Sequence, residues 1–260
     1  MTYTVPMVVK VLKVLKVFRQ AGPRLALTQV ISLCGIPKAS AFRILETLRS
    51  EGYLSKDVHG SYRLTYRLLE VAMVVHARNP LRKAALPHLE QLNREVKETV
   101  NLGVLEEENV VYAEVLESLQ RLRIVPSVGS LAPLHATALG KAVAAHLSRE
   151  ELTSILGKGG LKSFTPNTIT TMKAYLQDLA RTQERGYGID NEEEALQCIC
   201  VAAPVFDSKS RAAGAISVSV PSSRMSERRI HELGARLKEV AQTISEDFGF
   251  TRETRFSSPH

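Results

Sequence analysis

Gly35 limits what this chain can fold into more than any other residue. It stands between two segments of helical periodicity, "TQVISLC" and "PKASAFRILETLRSEG", with only Cys34-Gly35-Ile36 to turn the corner. So short a connection forces two helices into direct contact at a steep angle, the arrangement of a helix-turn-helix. Ahead of it, Val8, Val11, Leu12, Leu15 and Phe18 recur at helical spacing, with Lys10, Lys13 and Arg19 off that stripe. Gly22-Pro23 ends this first helix. Thr28 is placed to cap the second helix and Gly35 to close it, Pro37 suits the first turn of the third, and Gly52 ends that one. "YLSKDV" and "SYRLTY" then alternate around His59-Gly60, which predicts a β-hairpin. Three helices and a hairpin predict a winged helix-turn-helix over residues 1–65.

The third helix has two unlike faces. Ala41, Ile44, Leu45 and Leu48 form a core stripe, while Lys38, Ala39, Ser40, Phe42 and Arg43 offer small, hydrogen-bonding, flat and basic groups elsewhere. In a helix-turn-helix the second helix of the pair sets its N-terminal residues against base edges in the major groove. Small residues allow close approach there, Ser and Arg read donors and acceptors, and a flat apolar group meets a thymine methyl. The expected contacts with double-stranded DNA are therefore Thr28, Lys38, Ala39, Ser40, Phe42 and Arg43. Lys56, His59 and Arg63 of the wing are expected to reach the backbone or minor groove. Phe42 has a second possible place, packed under the wing.

Charge supports this division. Up to Lys83 there are 14 Lys and Arg against 4 Asp and Glu, and beyond it 20 against 23, so the basic excess of a +7 chain lies in its first third. A basic module joined to a mildly acidic remainder suits a polyanion reader attached to something else. At 260 residues the chain has room for two domains. No apolar run approaches the roughly 18 residues of a membrane helix, and lysines interrupt the apolar N-terminus too often for a signal peptide. Three cysteines argue against a disulfide framework and for the cytoplasm.

"YRLLEVAMVVHARNPLRKAALPHLEQLNREV" is helical twice, broken at Asn79-Pro80. Leu68, Leu69, Ala72 and Val75 form a stripe that predicts a dimer contact or packing on the second domain. This predicts a linker helix over 66–80, a domain over 81–250 and a flexible tail over 251–260. In the second domain "TVNLGVLEEENVVYAEVLES" reads as two strands and "LRIVPSVG" as another. "HATALGKAVAAHL" and "TTMKAYLQDLARTQERGY" read as helices, "CICVAAPVFDSKSRAAGAISVSVP" as a hairpin, and "SERRIHELGARLKEVAQTISEDFGF" as a closing helix capped by Ser226. The class is α+β.

Here the residues carry a resemblance. "GYGIDNEEEALQCICVAAPVFD" resembles the signature of the IclR family of bacterial transcription regulators, and "GIPKASAFRILETLRSEGYL", "YRLTYRLLE", "PLHATALGKA" and "AISVSVP" agree with it in the same order over residues 7 to 250. The resemblance implies a winged helix-turn-helix, a linker helix and a GAF-like effector-binding domain. It also implies a homodimer or dimer of dimers on a near-palindromic operator, repression more than activation, and a small organic acid or aromatic metabolite as effector. The implied effector pocket draws on Ala138 and Leu139 through their backbone amides, and on Asp190, Cys200, Ser217 and Ser219, with Ile124 and Ala132 in the wall. A helix start suits a carboxylate, and serines two apart on a strand share a face.

Two departures stand in the signature: the family often has Gly at the position of Gln197 and a polar residue at that of Cys198. Glu192, Glu193 and Glu194 are expected at the surface. No cofactor, metal or catalytic set is expected. Cys198 and Cys200 are expected on opposite strand faces, unable to share a metal, and His135 is expected to serve as a structural hydrogen-bonder. The rival reading is a thiol-based redox sensor or GAF-type enzyme using Cys200 with His135 and Asp190. Apolar surroundings argue instead for an inert thiol, and no nucleophile elbow, phosphate loop or dinucleotide motif appears.

Overall fold

The computed structural model describes residues 3–106, 109–157 and 160–251. The chain divides into two compact units, one up to Arg78 and one from Asn79 onward.

The first unit runs α1 (Pro6–Ala21), β1 (Arg24–Leu25), α2 (Leu27–Cys34), α3 (Lys38–Ser50), β2 (Leu54–Lys56), β3 (Tyr62–Leu64) and α4 (Arg67–Arg78). Gly35 adopts the left-handed conformation at φ 63° and donates its N–H to Ile31, which lets the chain reverse between α2 and α3. Val14, Val17, Phe18, Val30, Ala41, Ile44, Leu45 and Tyr62 meet in one buried core. The α1 stripe is thus rotated from its expected place: Val8 and Leu12 are exposed, and Val14 and Val17 are buried instead. The cap of α2 also differs. Gln29 Oε1 accepts from the Ala26 N–H at 2.8 Å, and Thr28 lies inside the first turn. The wing hairpin gains a third strand, β1, in the order β1-β3-β2. The expected linker helix falls on α4, of which no residue is buried.

The second unit runs α5 (Pro80–Val96), β4 (Thr99–Glu106), β5 (Asn109–Leu116), β6 (Leu131–Ala132), α6 (Ala138–Ala144), α7 (Arg149–Leu156), α8 (Met172–Arg185), β7 (Gly188–Asn191), β8 (Cys198–Phe206), β9 (Ala212–Pro221) and α9 (Glu227–Asp247). Its antiparallel sheet has the order β6-β5-β4-β9-β8-β7. Strand alternation divides the side chains between two cores. Val100, Leu102, Val201, Ala203, Ile216 and Val218 pack with Leu89 and Leu92 of α5 and Leu237 and Ile244 of α9. Ala202 and Ala215 face the other way, toward Leu139 of α6, Leu152 of α7 and Tyr175 of α8. Gly188 permits the tight seat of α6 on β7, because a Cβ there would stand 2.7 Å from the Ala138 carbonyl oxygen.

The strand expected at "LRIVPSVG" is absent. Residues 122–129 form a loop, with Gly129 at φ 80° and only Leu131 and Ala132 paired to β5. Pro126 has no N–H to give a ladder. The expected tail lies outside the described residues except for Thr251. No helix among the described residues is long and apolar enough to cross a membrane.

Candidate functional site

In the first unit, Lys38, Ala39, Phe42 and Arg43 are exposed on α3 and Ser40 is half-buried beside them. Core burial of Ala41, Ile44 and Leu45 turns this face outward. Of the two places open to Phe42, the structure shows the outward one, with 46 % of its surface exposed. Thr28 is exposed on α2, and His59, Lys56 and Arg63 are exposed on the wing.

Lys56 is more committed than its sequence suggests. Its Nζ lies 3.4 Å from Glu46 of α3 and 4.9 Å above the Tyr62 ring. The Tyr62 hydroxyl donates to Glu46 at 2.7 Å. That bond, then the one from Arg49, holds the Glu46 carboxyl down to about 2. Lys56 therefore fastens the wing to α3.

In the second unit a cavity of about 340 Å³ opens on the α6–α8 side of the sheet. The 124–131 loop, Tyr112, Glu194, Cys198, Cys200 and Ser219 line it. Of the expected pocket residues it holds Ile124, Cys200 and Ser219. Ala132, Ala138 and Leu139 are buried in the core beneath α6. Ser217 and Ser219 do share a face, and the Asn101 amide donates to both, at 3.1 and 3.0 Å. Asp190 pairs with Cys200 across β7 and β8. Its Oδ1 accepts from the Glu193 N–H at 2.7 Å, and burial pushes its carboxyl up to about 7.

Cys198 and Cys200 correct an expectation. Being two apart on β8 they share a face, and their sulfurs lie 3.4 Å apart. The Cys200 thiol also lies 3.3 Å from Ser219 Oγ. Its contact with Cys198, and then burial, raise its pKa well above the ordinary value. His135 is a structural hydrogen-bonder, with Nε2 2.8 Å from the Lys162 carbonyl oxygen. Among the described residues no group of three His, Cys, Asp or Glu is placed to hold a metal ion.

Two family models cover this architecture. "IclR helix-turn-helix domain" matches residues 7–58, and "Bacterial transcriptional regulator IclR C-terminal" matches 73–246. The chain belongs to the IclR family. It is 33% identical over 243 residues to the HTH-type transcriptional regulator KdgR of Escherichia coli, covering 92% of each chain. With the transcriptional repressor IclR of the same organism it shares 31% over 245 residues, 93% of this chain and 89% of that one. The crystal structure of an IclR homolog complexed with 4-hydroxybenzoate, from Microbacterium hydrocarbonoxydans, aligns with a TM-score of 0.78 at 27% identity, over 93% of this chain and 98% of that one.

Within this IclR-family domain, Glu193 is another correction. It is 6% exposed rather than at the surface, and Glu192 and Glu194 are half-buried. Lys141, buried in α6, lies 2.5 Å from Glu193 and 2.8 Å from Asp178 of α8. This ion cluster fastens the turn between β7 and β8, from which Glu194 reaches the cavity. Burial raises the Glu194 carboxyl as well. The same turn explains the departure at Gln197, which sits at φ 63°. That is a left-handed conformation glycine adopts without cost.

Sequence reasoning missed Asn101, Tyr112, Lys141 and Asp178, and placed Glu194 at the surface rather than at the cavity. Two had a signal: Lys141 is the lone charge in "ALGKAVA" and Asn101 the polar break in "VNLGV".

Proposed function

We propose that this IclR-family regulator is a cytoplasmic, non-enzymatic repressor whose hold on its operator is set by a small metabolite in the second unit's cavity. The observation that carries the reading is the cavity itself. Ile124, Val125 and Leu131 give it an apolar side, and Tyr112, Ser219, Cys200 and Glu194 a hydrogen-bonding one. That division suits a small organic acid or aromatic compound, the class of the 4-hydroxybenzoate named with the Microbacterium homolog. The repressor among its relatives supports repression. The Cys200 thiol, raised well above its ordinary pKa by its contact with Cys198 and then by burial, supports the non-enzymatic reading.

The operator is read as a near-palindrome by a homodimer or a dimer of dimers. The support is α4, where Leu69, Val71, Met73, Val74 and Val75 are each 46–65% exposed. A two-fold reader puts one recognition helix in each half-site. Effector binding changes operator affinity through a coupling of about 1–3 kcal/mol, reciprocal between the two ligands.

The test is selection of bound duplexes from a random pool at near-physiological salt, followed by metabolite screening on the enriched site. A palindrome released by a small acid or aromatic supports the reading. Binding without enrichment that vanishes as salt rises would refute it. Arg43→Ala should lose about 1–3 kcal/mol of base discrimination if Arg43 reads a guanine.

A further inference from the structure

We propose that Cys198 and Cys200 form a two-thiol binding site for a soft, thiophilic group that takes both sulfurs side by side, of the trivalent organoarsenical class. The two side chains leave the same face of β8, with their sulfurs 3.4 Å apart before any ligand draws them together. Cys200 is half-buried and both cysteines line the cavity, so the pair is approached from the open space and not through the core.

The surroundings select the class. No third His, Cys, Asp or Glu completes a metal cage among the described residues. The ligand must therefore bring its remaining substituent with it. An organoarsenical does so through its carbon group, and the cavity of about 340 Å³ offers that group Tyr112 and Ile124 as walls. Soft sulfur ligands favour soft acceptors. Contact with Cys198, and then burial, holds the Cys200 thiol protonated at neutral pH, which slows its oxidation. With an arsine oxide, two S–H bonds break, two As–S bonds form, and the oxygen leaves as water with both protons. Nothing is oxidised or reduced. The location of the pair in an effector cavity rests on the reading above; its thiol chemistry does not, and the assay below needs neither operator nor metabolite.

Phenylarsine oxide is added to the reduced full-length chain and to its Cys34→Ser, Cys198→Ser and Cys200→Ser variants, followed by intact mass. The expected result is one adduct per chain, heavier by the reagent less one water, for the unaltered protein and Cys34→Ser. That adduct should survive excess monothiol and be released by a dithiol. Both other variants should lose the monothiol-resistant adduct. Survival of that adduct in either variant, or its removal by monothiol from the unaltered protein, overturns the proposal. Peptide mapping makes the test independent of how the variants fold. In the unaltered protein the adduct should block alkylation of Cys198 and Cys200 together and leave Cys34 reactive. Alkylation of either blocked cysteine would overturn it equally.

Discussion

Two polar clusters lie side by side in the second unit, built on opposite plans. One is neutral: the Asn101 amide holds Ser217 and Ser219, and Ser219 meets the Cys198–Cys200 pair. The other is charged: Lys141 lies between Asp178 and Glu193, with Asp190 at the head of the same turn. The neutral cluster borders the cavity, where hydroxyls and thiols can exchange partners with a ligand at modest cost. The charged one lies behind the turn and serves attachment. A buried ion pair contributes little beyond its desolvation cost, yet is costly to break, because the partner left behind stays buried and uncompensated. The domain keeps its high-stakes interactions away from the surface that has to change.

The largest expected effect comes from breaking the charged plan. Lys141→Met leaves Asp178 and Glu193 without their cation and should cost about 3–5 kcal/mol in urea unfolding. A loss below about 1 kcal/mol would erase the contrast between the clusters. The next effect is one of pH. Asp190 has its carboxyl raised to about 7 in the folded protein, against an ordinary value near 3.8. Below about pH 4 both states hold the proton. Between about 4 and 7 the unfolded chain releases it while the folded chain keeps it, so stability falls as pH rises, and the contribution is gone above 7. Asp190→Asn keeps an acceptor for the Glu193 amide and has no proton to release. It should flatten the decline in urea-unfolding free energy across that window by more than the roughly 1 kcal/mol a single hydrogen bond contributes. An unchanged slope would assign the decline to other groups.

The neutral plan should break more gently. Asn101→Ala removes the donor to both serines and should cost about 1–3 kcal/mol, measured the same way. A loss equal to that of Lys141→Met would mean the two clusters do not differ in kind. Smallest of all, Gln197→Gly should raise stability by up to about 1 kcal/mol. It removes left-handed strain at φ 63° and gives back part of that gain in chain entropy. Destabilisation would show that the glutamine side chain contributes more than its backbone costs.

The sequence revealed these two plans unequally. Gly35, the α3 stripe and the hairpin were legible because each is a local signal that tertiary contacts reinforce. The α1 stripe was rotated because an apolar-rich helix offers more than one periodic face: Leu12 is exposed between Val11, which packs on the core, and buried Val14. Helix α7 was overlooked although Ser148 and Glu151 form a capping box at its start. Strand β7 has only Gly188–Asn191, too short for alternation to show. Ile124, Cys200 and Ser219 stood out through family likeness. Lys141 and Asp178 did not, because their meaning depends on a pairing between helices 37 positions apart.

Helix α4 has its own consequence. None of its 12 residues is fully buried, and a helix that short is marginal in water when left to itself. Its winding is therefore tied to whatever covers it. If that cover is a second copy, protein concentration enters the coil-to-helix equilibrium of this segment by mass action. Far-UV helicity should then fall on dilution over the range in which copies separate. Cells holding few copies of the chain would contain it with this connecting rod partly unwound.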